Sequence, residues 1–291
     1  MEELNPFIKW VGGKRRIAKN ILSQIGHISD NCTFYEPFLG SGAILLALHP
    51  HNAVCSDMND ELINLYCVVK TSVNKLIEEL KIHEQRHCNE YYYYVRGLDR
   101  DPNYSKSNTP KRRIERAARF LYLNKTCYNG LWRVNSRGQN NVPIGKYSNP
   151  LIVPEKELLE ASSYFRKHNI KFFKRDYGKI INEVKTGDIV YFDPPYDVEE
   201  GQSQFIEYTK SGFGQQSQIE LKDLCDRLVE RGINVFVSNS NTKFIRQIYN
   251  GTEEDRIKYS IIDIPIKRLV GAKAESRKDI TELLIVGRCA L

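Results

Sequence analysis

The stretch from Thr33 to Asp57 constrains the fold more than any other. Thr33-Phe-Tyr-Glu36 reads as a strand, FLGSG (residues 38–42) as a turn, and the apolar run through Leu48 as a helix. Ala53-Val-Cys-Ser56 then reads as a second strand that ends on Asp57. Two parallel strands need a crossover between them, and a helix is the usual one. Strand, glycine turn, helix, strand is therefore the first half of a doubly wound α/β sheet. A helix from Lys14 to Ile25 precedes it, with apolar positions 17, 21 and 25 at helical spacing. Asn59 or Asp60 caps the next helix, ELINLYCVVK. Strand patterns resume at 170–173, 188–192, 233–238, 257–264 and 280–286, with a helix at 216–231 ended by Gly232.

Between Ser72 and Tyr147 the pattern changes to helical and irregular, without β alternation. Thr109 as cap and Pro110 in the first position open one well-marked helix, KRRIERAARFLYLNK. Ile114, Ala117, Ala118 and Leu121 form its apolar face, and Arg112, Arg113, Arg116 and Arg119 are expected on the opposite, solvent side. The division that follows is a core of residues 1–70 and 165–291 with an insertion at 71–164. Charge is concentrated in the same region. Residues 103–150 hold ten Lys or Arg and one acid, whereas the rest of the chain holds 33 basic and 35 acidic residues. A local excess of +9 suits a polyanion, because phosphate contacts release counterions; a solvated basic face is the plainer alternative.

The seven cysteines are scattered singly with no C-x-x-C, and the six histidines show no H-x-x-x-H. That set points to reduced thiols in a cytosol, with no disulfide framework and no metal. No apolar run reaches membrane-spanning length, and nothing implies an obligate protein partner.

The chemistry lies in YFDPPYD, residues 191–197. The buried-looking run Asp188-Ile-Val-Tyr-Phe192 is a good inner strand, and inner parallel strands present functional groups at their carboxyl ends. Two prolines lack N–H groups, so the carbonyls around them can accept hydrogen bonds. Asp193 adds a carboxylate acceptor and Tyr196 a flat ring, a combination suited to a planar molecule bearing –NH2. In FLGSG, Gly40 and Gly42 let backbone amides approach a ligand, and Asp57 could accept from ribose hydroxyls. A plain tight turn with a helix-capping acid suits those residues as well. The nicotinamide fingerprint would need glycine at Leu45. KWVGGKRR (9–16) is no phosphate loop either, since Ile8 stands where glycine is required and Arg15 follows Lys14.

KWVGGK, EPFLGSG, NKTCYNGLWRVN, PIGKY and DPPY, in that order, resemble the Dam-type (α-group) DNA adenine-N6 methyltransferases, from Phe7 to the final strand. The resemblance implies a Rossmann-like, S-adenosylmethionine-dependent methyltransferase core with an inserted, mainly helical target-recognition domain, acting on double-stranded DNA. It implies that Asp193, Pro194 and Tyr196 are catalytic. The cofactor pocket would then draw on Trp10, Lys14, Phe38, Gly40, Gly42, Asp57, Asp176, Tyr177 and Asp193. Glu36 would reach the methionine end, or be a buried strand-end acid held by backbone amides. Tyr128-Asn-Gly-Leu-Trp-Arg133 resembles the family's DNA-entering hairpin. Arg133 and Lys9 would read guanines, Tyr128 and Asn129 would fill the gap left by an extruded base, and Leu131 would meet a thymine methyl. Arg116, Asn135, Asn141 and Lys146 would contact DNA, and GATC is the implied site. Phe205 to Phe213 resembles a loop over the active site. Protein glutamine methyltransferases resemble N-P-P-Y and cytosine-N4 enzymes S-P-P-Y, so Asp193 separates the chain from both. A DNA-binding regulator with a methyltransferase shell is the alternative of a different class.

Overall fold

A computed structural model of the chain describes residues 4–198, 212–266 and 280–288. The expected active-site loop, Phe205 to Phe213, lies outside them as far as residue 211. Seven strands are present among the described residues: β1 (Thr33–Glu36), β2 (Asn52–Asp57), β3 (Asn169–Lys174), β4 (Ile189–Phe192), β5 (Asn234–Ser240), β6 (Tyr259–Ile266) and β7 (Ile280–Gly287). They form one sheet in the order β3-β2-β1-β4-β5-β7-β6. β1 pairs in parallel with β2 and β4, and β4 with β5, while β7 runs antiparallel between β5 and β6. The helices are α1 (Ala18–Ile25), α2 (Ala43–Leu48), α3 (Asp60–Gln85), α4 (Asn89–Gly97), α5 (Pro102–Lys106), α6 (Pro110–Thr126), α7 (Glu155–Lys167), α8 (Gln215–Glu230), α9 (Lys243–Asn250) and α10 (Glu253–Lys258). Among the described residues, no helix is long and apolar enough to cross a membrane.

The direction of winding sets the site. From β1 the chain moves outward to β2 and β3, then returns to β4 on the other flank of β1 and continues to β5. Phe34 lies opposite Ile189 and Tyr35 opposite Val190, so the carboxyl ends of β1 and β4 are neighbours. A crevice opens where strand order reverses in this way, and ligands of open α/β sheets bind there.

By backbone proximity the chain divides into two compact units. One comprises residues 17–39, 52–55 and the described residues from 175 onward; the other comprises residues 4–16, 40–51 and 56–174. In the first, all four residues of β4 are buried. Leu221, Leu224, Cys225 and Leu228 of α8 recur at helical spacing and pack in a core with Val190, Val235, Val237 and Ile285. Each such leucine, once fully buried, contributes about 1.5–3 kcal/mol. A Schellman turn ends α8: Gly232, at φ +76°, donates to the Val229 carbonyl and Ile233 to that of Leu228.

In the second unit α3 and α6 form the centre. Thr109 caps α6 by accepting from the Arg112 N–H at 3.3 Å, and Pro110 holds its first position, as the sequence predicts. The helix is not two-faced, however. Every residue from Arg116 to Thr126 is buried. Arg116, 4% exposed, bonds to Asp60 at 2.9 Å and to Glu61 at 2.7 Å, both at the start of α3. Arg119, 2% exposed, meets Asp99 at 2.8 Å and the Val95 and Arg96 carbonyls at 2.8 Å each. Those carbonyls belong to the last turn of α4, where helical partners run out. The expected exposed face is thus corrected at Arg116 and Arg119, because acids and helix-end carbonyls inside the unit satisfy both guanidinium groups.

Candidate active site

Asp193 follows the last residue of β4 directly, at the crevice. The loop it opens is held from behind by a chain of amides. The fully buried Gln218 of α8 donates to the Pro195 carbonyl at 2.8 Å, and its own oxygen accepts from Asn239 of β5 at 3.0 Å. Asn239 Oδ1 accepts the Asp197 N–H at 3.2 Å, while Ser240 and Thr242 donate to the Asp197 carbonyl and carboxylate at 2.6 Å each. Among the described residues nothing donates to the carbonyl of Pro194. A buried carbonyl left without a donor is costly in a folded protein and marks a place where a ligand can supply the partner. Tyr196 donates its hydroxyl to Glu282 of β7 at 2.8 Å, which fixes the ring's direction. Burial, then the carboxylates of Asp193 and Glu282, push the Tyr196 phenol well above its ordinary range, so it stays a donor.

The end of β1 adds aromatic surface. Phe38 stacks on Tyr177 with centroids 5.1 Å apart at 27°, and Phe38 also meets Phe192 edge-on at 6.3 Å. Phe213 closes the cluster, 5.7 Å from Phe38 and 5.9 Å from Tyr177. Asp176 is exposed and caps the short turn Tyr177–Asn182 by accepting from Gly178 N–H at 2.8 Å. Glu36 is buried at 2% exposure.

In the other unit, Gly40 has φ +47° and lies under the Trp10 indole: a Cβ there would sit 2.9 Å from two ring atoms. Gly42, at φ +60°, begins α2. The Asp57 carboxylate accepts from Gly40 N–H at 3.2 Å and Asn59 N–H at 2.9 Å, and Tyr66 donates to the Gly40 carbonyl at 3.2 Å. Burial raises the Asp57 carboxyl's pKa, and the backbone donors of Asn59 and Gly40 oppose the rise. Lys14 is buried, its ammonium 2.6 Å from the Gly12 carbonyl.

Sequence reading expected one hairpin at Tyr128–Arg133. The structure has a short 3-10 turn at Tyr128–Gly130, with Asn129 at φ +53°, and a hairpin immediately after it. Asn141 N–H donates to the Arg133 carbonyl at 3.2 Å, Val134 bridges Asn140, and Asn135 N–H donates to Gln139 at 2.9 Å. Arg133 Nε is fixed by Asn141 Oδ1 at 2.8 Å. Tyr128 is 53% exposed, Leu131 is half-buried and Lys146 is exposed. The Lys9 ammonium lies 4.0 Å from the centre of the Tyr147 ring. Sequence reasoning missed Asn124, Tyr147, Gln218, Asn239 and Glu282; NKTCYNGLWRVN and PIGKY contained the first two.

A sheet of this order, carrying an acid, two prolines and a tyrosine after β4 at its switch point, belongs to the α/β proteins that bind a ligand at that crevice. The chain belongs to the D12 class N6 adenine-specific DNA methyltransferases, whose family model matches residues 10–264. It is 40% identical over 283 residues to the type II methyltransferase M1.LlaDCHI of Lactococcus lactis subsp. cremoris, covering 97% of this chain and 95% of that one. It is 36% identical over 304 residues to the type II methyltransferase M.MjaIII of Methanocaldococcus jannaschii, covering 98% and 99%. To the DNA adenine methylase of Escherichia coli strain K12 it is 32% identical over 287 residues, covering 98% and 95%. The protein is thus an enzyme of adenine-N6 DNA methylation.

Proposed function

We propose that this adenine methyltransferase draws its methyl group from S-adenosylmethionine and acts within GATC, on an adenine turned out of the duplex. The target amine is unreachable inside a stacked helix, so the base must be extruded. Adenine N6 is a weak nucleophile because its lone pair is delocalised into the ring. The Asp193 carboxylate and the Pro194 carbonyl accept hydrogen bonds from its two N–H groups, which lets the nitrogen pyramidalise and localise that pair. The carboxylate also stabilises the positive charge that grows on N6 during attack. Tyr196, its ring direction set through Glu282, stacks on the extruded base. The observation that carries this reading is the contrast between neighbouring carbonyls: Pro195 is bonded to Gln218, and Pro194 has no donor among the described residues.

The cofactor, when bound, supplies an electrophilic methyl on a sulfonium. Gly40 leaves room for the Trp10 indole to lie directly on the turn, a flat apolar surface that suits such a ligand, and Lys14, Gly42 and Asp57 are proposed for it from the same unit. Phe38, Tyr177, Asp176 and Asp193 are also proposed for the cofactor. For DNA, Lys9 and Arg133 would read guanine edges, Tyr128 and Asn129 would occupy the vacated stack, Leu131 would meet a thymine methyl, and Asn135, Asn141 and Lys146 would hold phosphates. Arg116 is left out, since it is buried on Asp60 and Glu61. Residues 71–164 would be the target-recognition part, and 1–70 with 165–291 the catalytic part. Incubation with unmodified plasmid and S-adenosylmethionine, followed by mapping of N6-methyladenine, tests this. We expect the mark at the adenine of GATC, and a mark at another sequence refutes the site assignment.

A further inference from the structure

Asn124, in the last turn of α6, is 0% exposed, and its side chain joins two remote pieces of chain. Its Oδ1 accepts the Lys9 N–H at 2.9 Å. Its Nδ2 donates to the Lys9 carbonyl at 2.7 Å and to the Gly130 carbonyl at 3.0 Å. A flipped amide would set oxygen against two carbonyls and nitrogen against an N–H, so the three bonds fix its orientation. Lys9 is thereby gripped at both backbone groups, as a strand partner would grip it. Gly130 lies hard against it: at φ +66°, a Cβ would stand 2.5 Å from the Cβ of Lys9. The far end of Lys9 is guided too, by the Tyr147 ring at 4.0 Å and the Lys125 carbonyl at 3.4 Å.

We propose that Asn124 is a specificity-positioning residue: one buried amide fixes Lys9 relative to the Tyr128–Gly130 turn, so that both meet the DNA in a single register. The proposal rests on the reading of Lys9 and that turn as DNA contacts. Lys9 and Asn124 are 115 residues apart in sequence, so no local structure could set their spacing. The bond partners on Lys9 and Gly130 are backbone groups, so the tether uses no side chain of Tyr128 or Asn129.

The test compares wild type, Lys9→Ala, Asn124→Ala and the double variant. Single-turnover methylation is measured on the cognate duplex and on duplexes with one substituted base pair each. A residue that serves folding alone would lower the active fraction equally on all duplexes and leave their ratio unmoved. We expect Asn124→Ala to lose discrimination, on the order of tenfold, at the pair that Lys9→Ala relaxes. The double variant is expected to discriminate no worse than Lys9→Ala. Asn124→Ser, whose hydroxyl can keep one of the three bonds, is expected to lie in between, and it replaces Asn124→Ala if that variant does not fold. Relaxed discrimination in Lys9→Ala beside unchanged discrimination in the Asn124 variants overturns the proposal alone, as do losses that multiply in the double variant. Unchanged discrimination in Lys9→Ala overturns the reading of Lys9 and the proposal with it.

Discussion

Gly40→Ala is the sharpest probe of the glycine turn. An L residue at φ +47° occupies the left-handed region, which costs about 1–2 kcal/mol. The new methyl would also stand 2.9 Å from Cδ1 and Nε1 of Trp10, well inside the 3.5–4.0 Å optimum for carbon contacts. Overpacking of this kind costs about 1–3 kcal/mol, so the total is about 2–5 kcal/mol. That is a large share of a typical stability of about 5–15 kcal/mol, and the variant should still fold. Urea unfolding followed by far-UV circular dichroism measures the loss. Calorimetric titration with S-adenosylmethionine is expected to show affinity reduced at least about tenfold, since a tenfold change needs only about 1.4 kcal/mol. Trp10→Ala removes the clash and leaves the backbone cost, so in that background Gly40→Ala should cost only about 1–2 kcal/mol. Stability within about 0.5 kcal/mol of wild type, or an equal cost with and without Trp10, would refute the reasoning.

Asp193→Asn keeps an acceptor and loses the charge, so single-turnover methyl transfer should fall by about 100-fold or more while DNA binding persists; a rate near wild type removes Asp193 from the chemistry. Arg133→Ala is expected to relax site choice by about 1–3 kcal/mol, measured across single-substitution duplexes. Burial, then the nearby Arg86 and Arg119, hold the His83 imidazole down to about 4 from an ordinary 6.5. Between those values the unfolded chain binds the extra proton, so stability should drop as pH falls from 6.5 towards 4. His83→Gln should flatten that part of the melting-temperature profile, and an unchanged slope would count against this origin.

The sheet was legible because its inner strands are buried on both faces: Ile189–Phe192 and Thr33–Glu36 have the boundaries the apolar pattern predicts, or within one residue of them. Punctuation was equally plain at Thr109, Pro110 and Gly232, where few residue types are favoured. Arg116 and Arg119 misled because a charge reads as surface until its partners are known. Glu61 lies 55 residues from Arg116. Gln218 carries no motif to mark it, and its bonds go to Pro195 and to Asn239 of β5. The hairpin after Arg133 escaped notice because isolated bridges and side-chain bonds hold it, with no strand alternation to find.

The tip of that hairpin shapes itself. Asn135 Oδ1 accepts from the N–H groups of Arg137 at 2.9 Å and Gln139 at 3.0 Å, and Gly138 turns at φ +74°. None of these bonds uses the side chain of Ser136 or Arg137, both of which face solvent. Substitutions at those two positions would therefore leave the bonds that hold the tip in place.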